Sequence, residues 1–197
     1  MIIAKIVSSN SHIDYVARVI DQLDSDTPPD AGAYCFGQFV RVDSERETVI
    51  GIIYDSRLVN PEYGSFGPRL SPRPALGNFS PDYINEQGIL IGVLLLGTID
   101  QKGNAVHGVP RRIIPAGHDV IKIESEDVSR FHSAGGNGKV QLHYYAQVVA
   151  HAGHFAIPLL DSIIEQLCAN CTDADAQSLH VLKRSLSWQG TFGGMKL

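Results

Sequence analysis

One run constrains this chain more than any other: Gly92-Val93-Leu94-Leu95-Leu96-Gly97-Thr98-Ile99-Asp100, then Pro110-Arg111-Arg112-Ile113-Ile114-Pro115-Ala116-Gly117-His118-Asp119-Val120. An apolar strand broken by a glycine crosses a polar turn. The chain then passes a basic step bracketed by two prolines and re-enters as another strand. Proline has no amide to give to a strand ladder, so Pro110 and Pro115 mark a connection rather than a strand interior. Read with the N-terminal segments, this arrangement describes a small antiparallel barrel.

The remaining strands follow from period-two patterning. Residues 2–8 and 13–20 read as strands, with Asn10-Ser11-His12 supplying the turn. Ile13, Tyr15, Ala17 and Val19 alternate with Asp14, Val16, Arg18 and Ile20, which suits a sheet covered at least in part on both faces. Residues 38–42 and 48–59 form a further pair across the charged turn Asp43 to Glu47, and Gly51 marks a bulge or a close approach. Asp119 to Glu124 closes the set, and a strand is also expected over 139–150, where Val140, Leu142, Tyr144, Ala146 and Val148 alternate, with a helix as the alternative for Tyr145 to Ala150.

The period then changes. Ile157, Leu160, Ile163, Ile164, Leu167, Cys168 and Cys171 recur at three-and-four spacing, the stripe of an amphipathic helix. Thr172 caps a second helix, Leu179, Leu182 and Leu186 line its inner stripe, and Gly190 is its stop signal. The expected fold is mainly β with an α annex: an antiparallel barrel of six to seven strands, then a helical hairpin over roughly 157–188. Residues 1–124 make the barrel, with a Pro/Gly-rich insertion at 60–88. Residues 125–197 hold a linker strand, the hairpin and a Gly-rich tail. Within the insertion, Ser80 and Pro81 would start a short helical turn ending at Glu86.

Size and charge exclude several functions. The longest apolar run, Ile89 to Leu96, falls well short of the roughly 20 residues a membrane helix needs. Three cysteines and an N-terminus without a signal-peptide pattern give the expectation of a reduced, cytoplasmic protein. The net charge of −5, without a basic block, argues against binding driven by phosphate neutralisation. Single-stranded nucleic acid is therefore an unfavoured alternative partner, although small barrels do bind such strands.

The segments Ile3 to Ser9, Phe36 to Val42, Val49 to Ile53, Val93 to Gly97 and Ile114 to Val120 stand in an order that resembles the HAS-barrel. That barrel heads the HerA-type hexameric ATPases and is similar to the small barrel of the ATP synthase α and β subunits. The resemblance covers residues 2–123 and implies ring assembly and docking of partner proteins, without catalysis in the barrel. A motor domain opening with G-x-x-x-x-G-K-[ST] should follow, and no such string occurs in the chain. Pro158-Leu159-Leu160 stands where the glycines belong, and Gly193-Gly194-Met195-Lys196-Leu197 lacks the Ser or Thr.

Other chemistry is equally sparse. His151-x-x-His154 and Cys168-x-x-Cys171 have zinc-ligand spacings, but a helix between them would hold the pairs roughly 16 Å apart, too far to share one ion. The Cys pair ends a helix rather than opening one, against a redox role. No G-x-S-x-G elbow occurs, and nothing brings Asp55, Glu62, Asp82 and Glu86 together as paired acids. No catalytic, cofactor-binding or metal-binding residue is assigned. The candidate partner surface is Tyr63, Phe66, Arg69, Arg73, Arg111 and Arg112, with Phe79 and Tyr83 nearby in the long insertion. Proline-flanked arginines have restricted backbones, and Arg and aromatic side chains commonly anchor interfaces. The ordinary alternative for these arginines is solubilising charge. The expected function is a binding or assembly module acting on a protein partner or on itself; the alternatives are a barrel that binds single-stranded nucleic acid and an enzyme whose site no motif marks.

Overall fold

A computed structural model describes residues 1–60, 88–133, 139–169 and 173–192, with 173–174 and 186–192 described by backbone alone. The strands are β1 (Ile2–Ser9), β2 (Asp14–Val19), β3 (Phe39–Asp43), β4 (Glu47–Val59), β5 (Gly88–Asp100), β6 (Ala105–His107) and β7 (Asp119–Lys122). They form one sheet in the order β2-β1-β7-β3-β4-β5-β6, every pairing antiparallel. A further ladder from Asp14↔Leu94 to Arg18↔Leu90 joins β2 to β5 and closes six strands into a barrel. The short strand β6 lies outside the ring on the far part of β5, pairing Gly97 to Ile99. One edge of β5 is thus shared: β2 takes its first half and β6 takes over beyond it.

Closure bends the long strands. β4 and β5 run together from Glu47↔Asp100 to Val59↔Gly88, with register shifts at Ile50/Gly51 and Ile53/Asp55. The irregularity expected at Gly51 is there, and so is a close approach: a Cβ on Gly51 would lie 2.8 Å from Val93 Cγ1. Inward residues alternate along β2, where Ile13, Tyr15, Ala17 and Val19 are all buried. Val49 to Ile53 and Val93 to Leu96 are buried on both faces and share one apolar cluster with the C-terminal helices.

The helices are α1 (Ser125–Ser133), α2 (Tyr145–His151), α3 (Ala156–Cys168) and α4 (Asp173–Phe192). No strand covers 139–150, which corrects the linker strand expected there; α2 takes up Tyr145–His151, the helical alternative for that stretch. Only the first part of its alternation is used; Tyr144, Val148 and Ala152 are buried at helical spacing while Ala146 is exposed. The β2–β5 ladder has already closed the sheet, so a further strand would have no long edge to join. The expected stop at Gly190 is also corrected, since α4 continues through Phe192. The hairpin itself is present: Lys183 of α4 reaches Asp161 at 3.1 Å and Glu165 at 2.7 Å on α3. The Pro81–Glu86 turn, Cys171, Thr172 and residues 193–197 lie outside the described residues, as does the side chain of Leu186.

Helices and barrel share one apolar cluster. Gly37 fixes α3 against the strands. Its carbonyl accepts from Gln166 Nε2 at 2.8 Å, its φ is +79°, and a Cβ there would collide with the Ser162 side chain. Only glycine meets both demands at little strain.

Candidate interaction surface

Two groups of side chains merit a functional reading. The first is a joint between the barrel and the helices. Glu124 starts α1, its carbonyl accepting from Asp127 and Val128; Glu126 and Asp127 sit in the first turn, where the helix dipole favours acids. Val128, Phe131 and His132 then face inward. His132 is 1% exposed. Its Nδ1 lies 2.6 Å from the Val128 carbonyl and its Nε2 lies 2.6 Å from the Tyr144 hydroxyl. A carbonyl only accepts, so Nδ1 carries the proton and the Tyr144 hydroxyl donates to Nε2. Burial pushes the His132 pKa down to about 4 and holds the Tyr144 phenol well above its ordinary value.

His107 of β6 joins this cluster, its ring 4.3 Å from that of Phe131 and 5.2 Å from that of Tyr144. Its Nε2 donates to the Phe131 carbonyl at 3.0 Å, and burial lowers its pKa. Among the described residues its Nδ1 has no partner. Gly97 allows this approach: a Cβ there would overlap the Val106 carbonyl and stand 3.1 Å from Phe131. The histidines thus act as neutral, fixed rings. Each spends a proton or a lone pair on the fold, and no carboxylate hydrogen-bonds to either ring among the described residues. The cluster is built as a joint, with both His132 nitrogens, His107 Nε2 and the Tyr144 hydroxyl engaged with one another or with backbone carbonyls.

The second group faces out. The β6–β7 connection is held at two points. His12 Nε2 donates to the Pro110 carbonyl at 2.7 Å, and the buried Tyr15 hydroxyl accepts from the Ile114 amide at 3.1 Å. Pro110 and Ile114 are buried. Between these anchors Arg111, Arg112 and Ile113 are turned to solvent, and Ile113 is 72% exposed. Val106 at the centre of β6 and Val109 on the connection are 65% and 60% exposed. Arg112 Nε stands 3.8 Å from Glu47 Oε1, a loose surface pair. Beside it lies a cleft of about 270 Å³, lined by Val42, Val49, Ile113, Ile114 and Pro115 with Glu45, Glu47, Arg112 and His118. That volume falls below the roughly 300–1,000 Å³ of small-molecule sites and suits a side chain.

Of the six residues expected to form a partner surface, Arg111 and Arg112 are on this held, outward segment. Tyr63, Phe66, Arg69 and Arg73 lie outside the described residues, as do Phe79 and Tyr83. A larger hollow of about 620 Å³ is lined by Val19, Asp21, Pro28, Tyr34, Leu58 and Ile89 among others. Asn60 and Gly88, which flank the residues outside the described set, also stand in its lining. Sequence reasoning missed His107, His132, Tyr144 and the exposed valines. Among the described residues no three His, Cys, Asp or Glu side chains converge to hold a metal ion, and no helix is long and apolar enough to cross a membrane.

A family model described as a domain of unknown function (DUF8166) matches residues 1–196. No curated protein matches the chain.

Proposed function

We propose that this chain, which belongs to the DUF8166 family, is a non-catalytic binding and assembly module that works through protein–protein contacts as a subunit of, or adaptor to, a larger machine. One observation carries the reading. The segment from Val106 to Ile113 is anchored at Pro110 and Ile114, yet it presents two arginines and three strongly exposed aliphatic side chains to solvent. Exposed apolar groups on a held backbone bind with little further loss of conformational entropy, and Arg beside an apolar rim suits an interface. The resemblance to the HAS-barrel points the same way, since that family uses its barrel for assembly and docking. The sparse cysteines suit the cytoplasm as its compartment.

The test is association. The purified chain is followed by light scattering across a concentration series, and the same chain is used to capture partners. Self-association, or binding of a defined protein, is expected, and Ile113→Asp should abolish it with the unfolding midpoint unchanged. Association indifferent to Ile113→Asp, or none at all, contradicts the reading.

A further inference from the structure

We infer that the occupant of this face is a second copy of the chain, related to the first by a two-fold axis; this rests on the assembly reading above. A two-fold interface uses one patch twice, so the patch must complement itself. This one carries both signs. Glu45 and Glu47 stand on the turn into β4, and Arg112 and Ile113 stand across the cleft, with Arg111 next in the chain. Within one molecule Arg112 meets Glu47 at 3.8 Å, with 54% of the Arg112 side chain exposed. Among the described residues, Arg111 and Glu45 are exposed and their side chains enter no ion pair. Turned through half a circle, the basic side of one copy faces the acidic side of the other, and the match occurs twice. Ile113, at the rim of the cleft, supplies an apolar knob next to the buried Val42, Val49 and Ile114. An acidic partner protein is the competing occupant, but it would meet Glu45 and Glu47 as like charges, which disfavours that pairing.

The symmetry makes a specific test available. An acidic variant carries Arg111→Glu with Arg112→Glu, and a basic variant carries Glu45→Arg with Glu47→Arg. Each is examined alone and mixed by native mass spectrometry, with thermal unfolding as the check on folding. The natural chain is expected to dimerise, each variant alone to be monomeric with a near-natural melting curve, and the equimolar mixture to give the one-to-one heterodimer. Recovery in the mixture also shows that both variants are folded. Dimers that persist in either variant alone would overturn the inference while leaving the assembly reading standing. A natural chain that is monomeric, yet captures a different protein through Ile113, would do the same. A monomer that captures nothing would overturn both.

Discussion

The joint around His132 and the ridge around Ile113 are both held by His and Tyr side chains, to opposite ends. In the joint, Phe131, His132 and Tyr144 are buried and both imidazole nitrogens of His132 are used. On the ridge, two anchors fix the backbone and the side chains between them are left in water. The joint gains stability from its buried rings and from the paired nitrogens of His132, while His107 Nδ1 is left without a partner among the described residues. The ridge is ordered without being covered. A held but uncovered surface is what a docking face requires, and the contrast separates residues that keep this fold from residues that would use it.

Four changes break or sharpen that contrast. The largest effect is expected for Phe131→Ala, which removes a ring that is 1% exposed from the centre of the joint and should cost about 3–5 kcal/mol in denaturant unfolding. A loss below about 1 kcal/mol would mean that the helices barely lean on the barrel.

Acid comes next. The His132 pKa falls from 6.5 to about 4 on folding. Above pH 6.5 the ring is neutral in both states and contributes nothing to the pH dependence. As pH drops from 6.5 towards 4, the unfolded chain takes a proton that the folded chain refuses, and stability is lost by up to about 3 kcal/mol. His107, lowered in the same direction, adds to the slope. Unfolding free energies at a series of pH values should fall across this window and flatten in His132→Gln relative to the natural chain. An NMR titration that places the His132 midpoint near 6.5 would refute the buried, neutral ring.

Gly37→Ala is expected to cost about 1–3 kcal/mol through its left-handed backbone and its collision with Ser162. Adding Ser162→Gly should return the steric share and leave the backbone share, which a double-mutant comparison of unfolding midpoints reads directly. The smallest effect belongs to the ridge: Arg111→Ser should change monomer stability by less than about 0.5 kcal/mol. A large loss there would make Arg111 part of the fold and remove it from the proposed docking face.

The barrel was readable in the sequence because closed antiparallel sheets rest on local alternation and turn chemistry, both strong from Ile2 to Asp100 apart from the long insertion. The hairpin was readable for the same reason: Leu160, Ile163, Ile164 and Leu167 keep strict helical spacing and all are buried. The α1 helix was missed although its signals stand in order, with Glu126 and Asp127 at the start and Val128 and Phe131 three apart. The 139–150 segment misled because alternation from Val140 to Tyr144 runs into the helical pair Tyr144 and Val148. Nothing local shows that the sheet has already closed on itself through β2 and β5. The three-residue strand β6 is too short for any periodic signal.

The candidate site was partly legible. The prolines around Arg111 and Arg112 announced restricted backbone, and the structure places both residues between two fixed points. The anchors themselves, His12 and Tyr15, are about a hundred residues away in the chain (98 and 99 positions) and pair through tertiary structure alone. The bond between His132 and Tyr144 has the same character. It spans twelve positions across a change from helix to irregular chain, where no spacing rule applies.

Amide hydrogen exchange at low and high protein concentration puts the contrast to its most direct test. The account predicts that amides of 128–132 exchange slowly and equally at both concentrations, while those of 109–113 gain protection as concentration rises. Protection at 109–113 that is independent of concentration, or concentration-dependent protection confined to another surface, would contradict it.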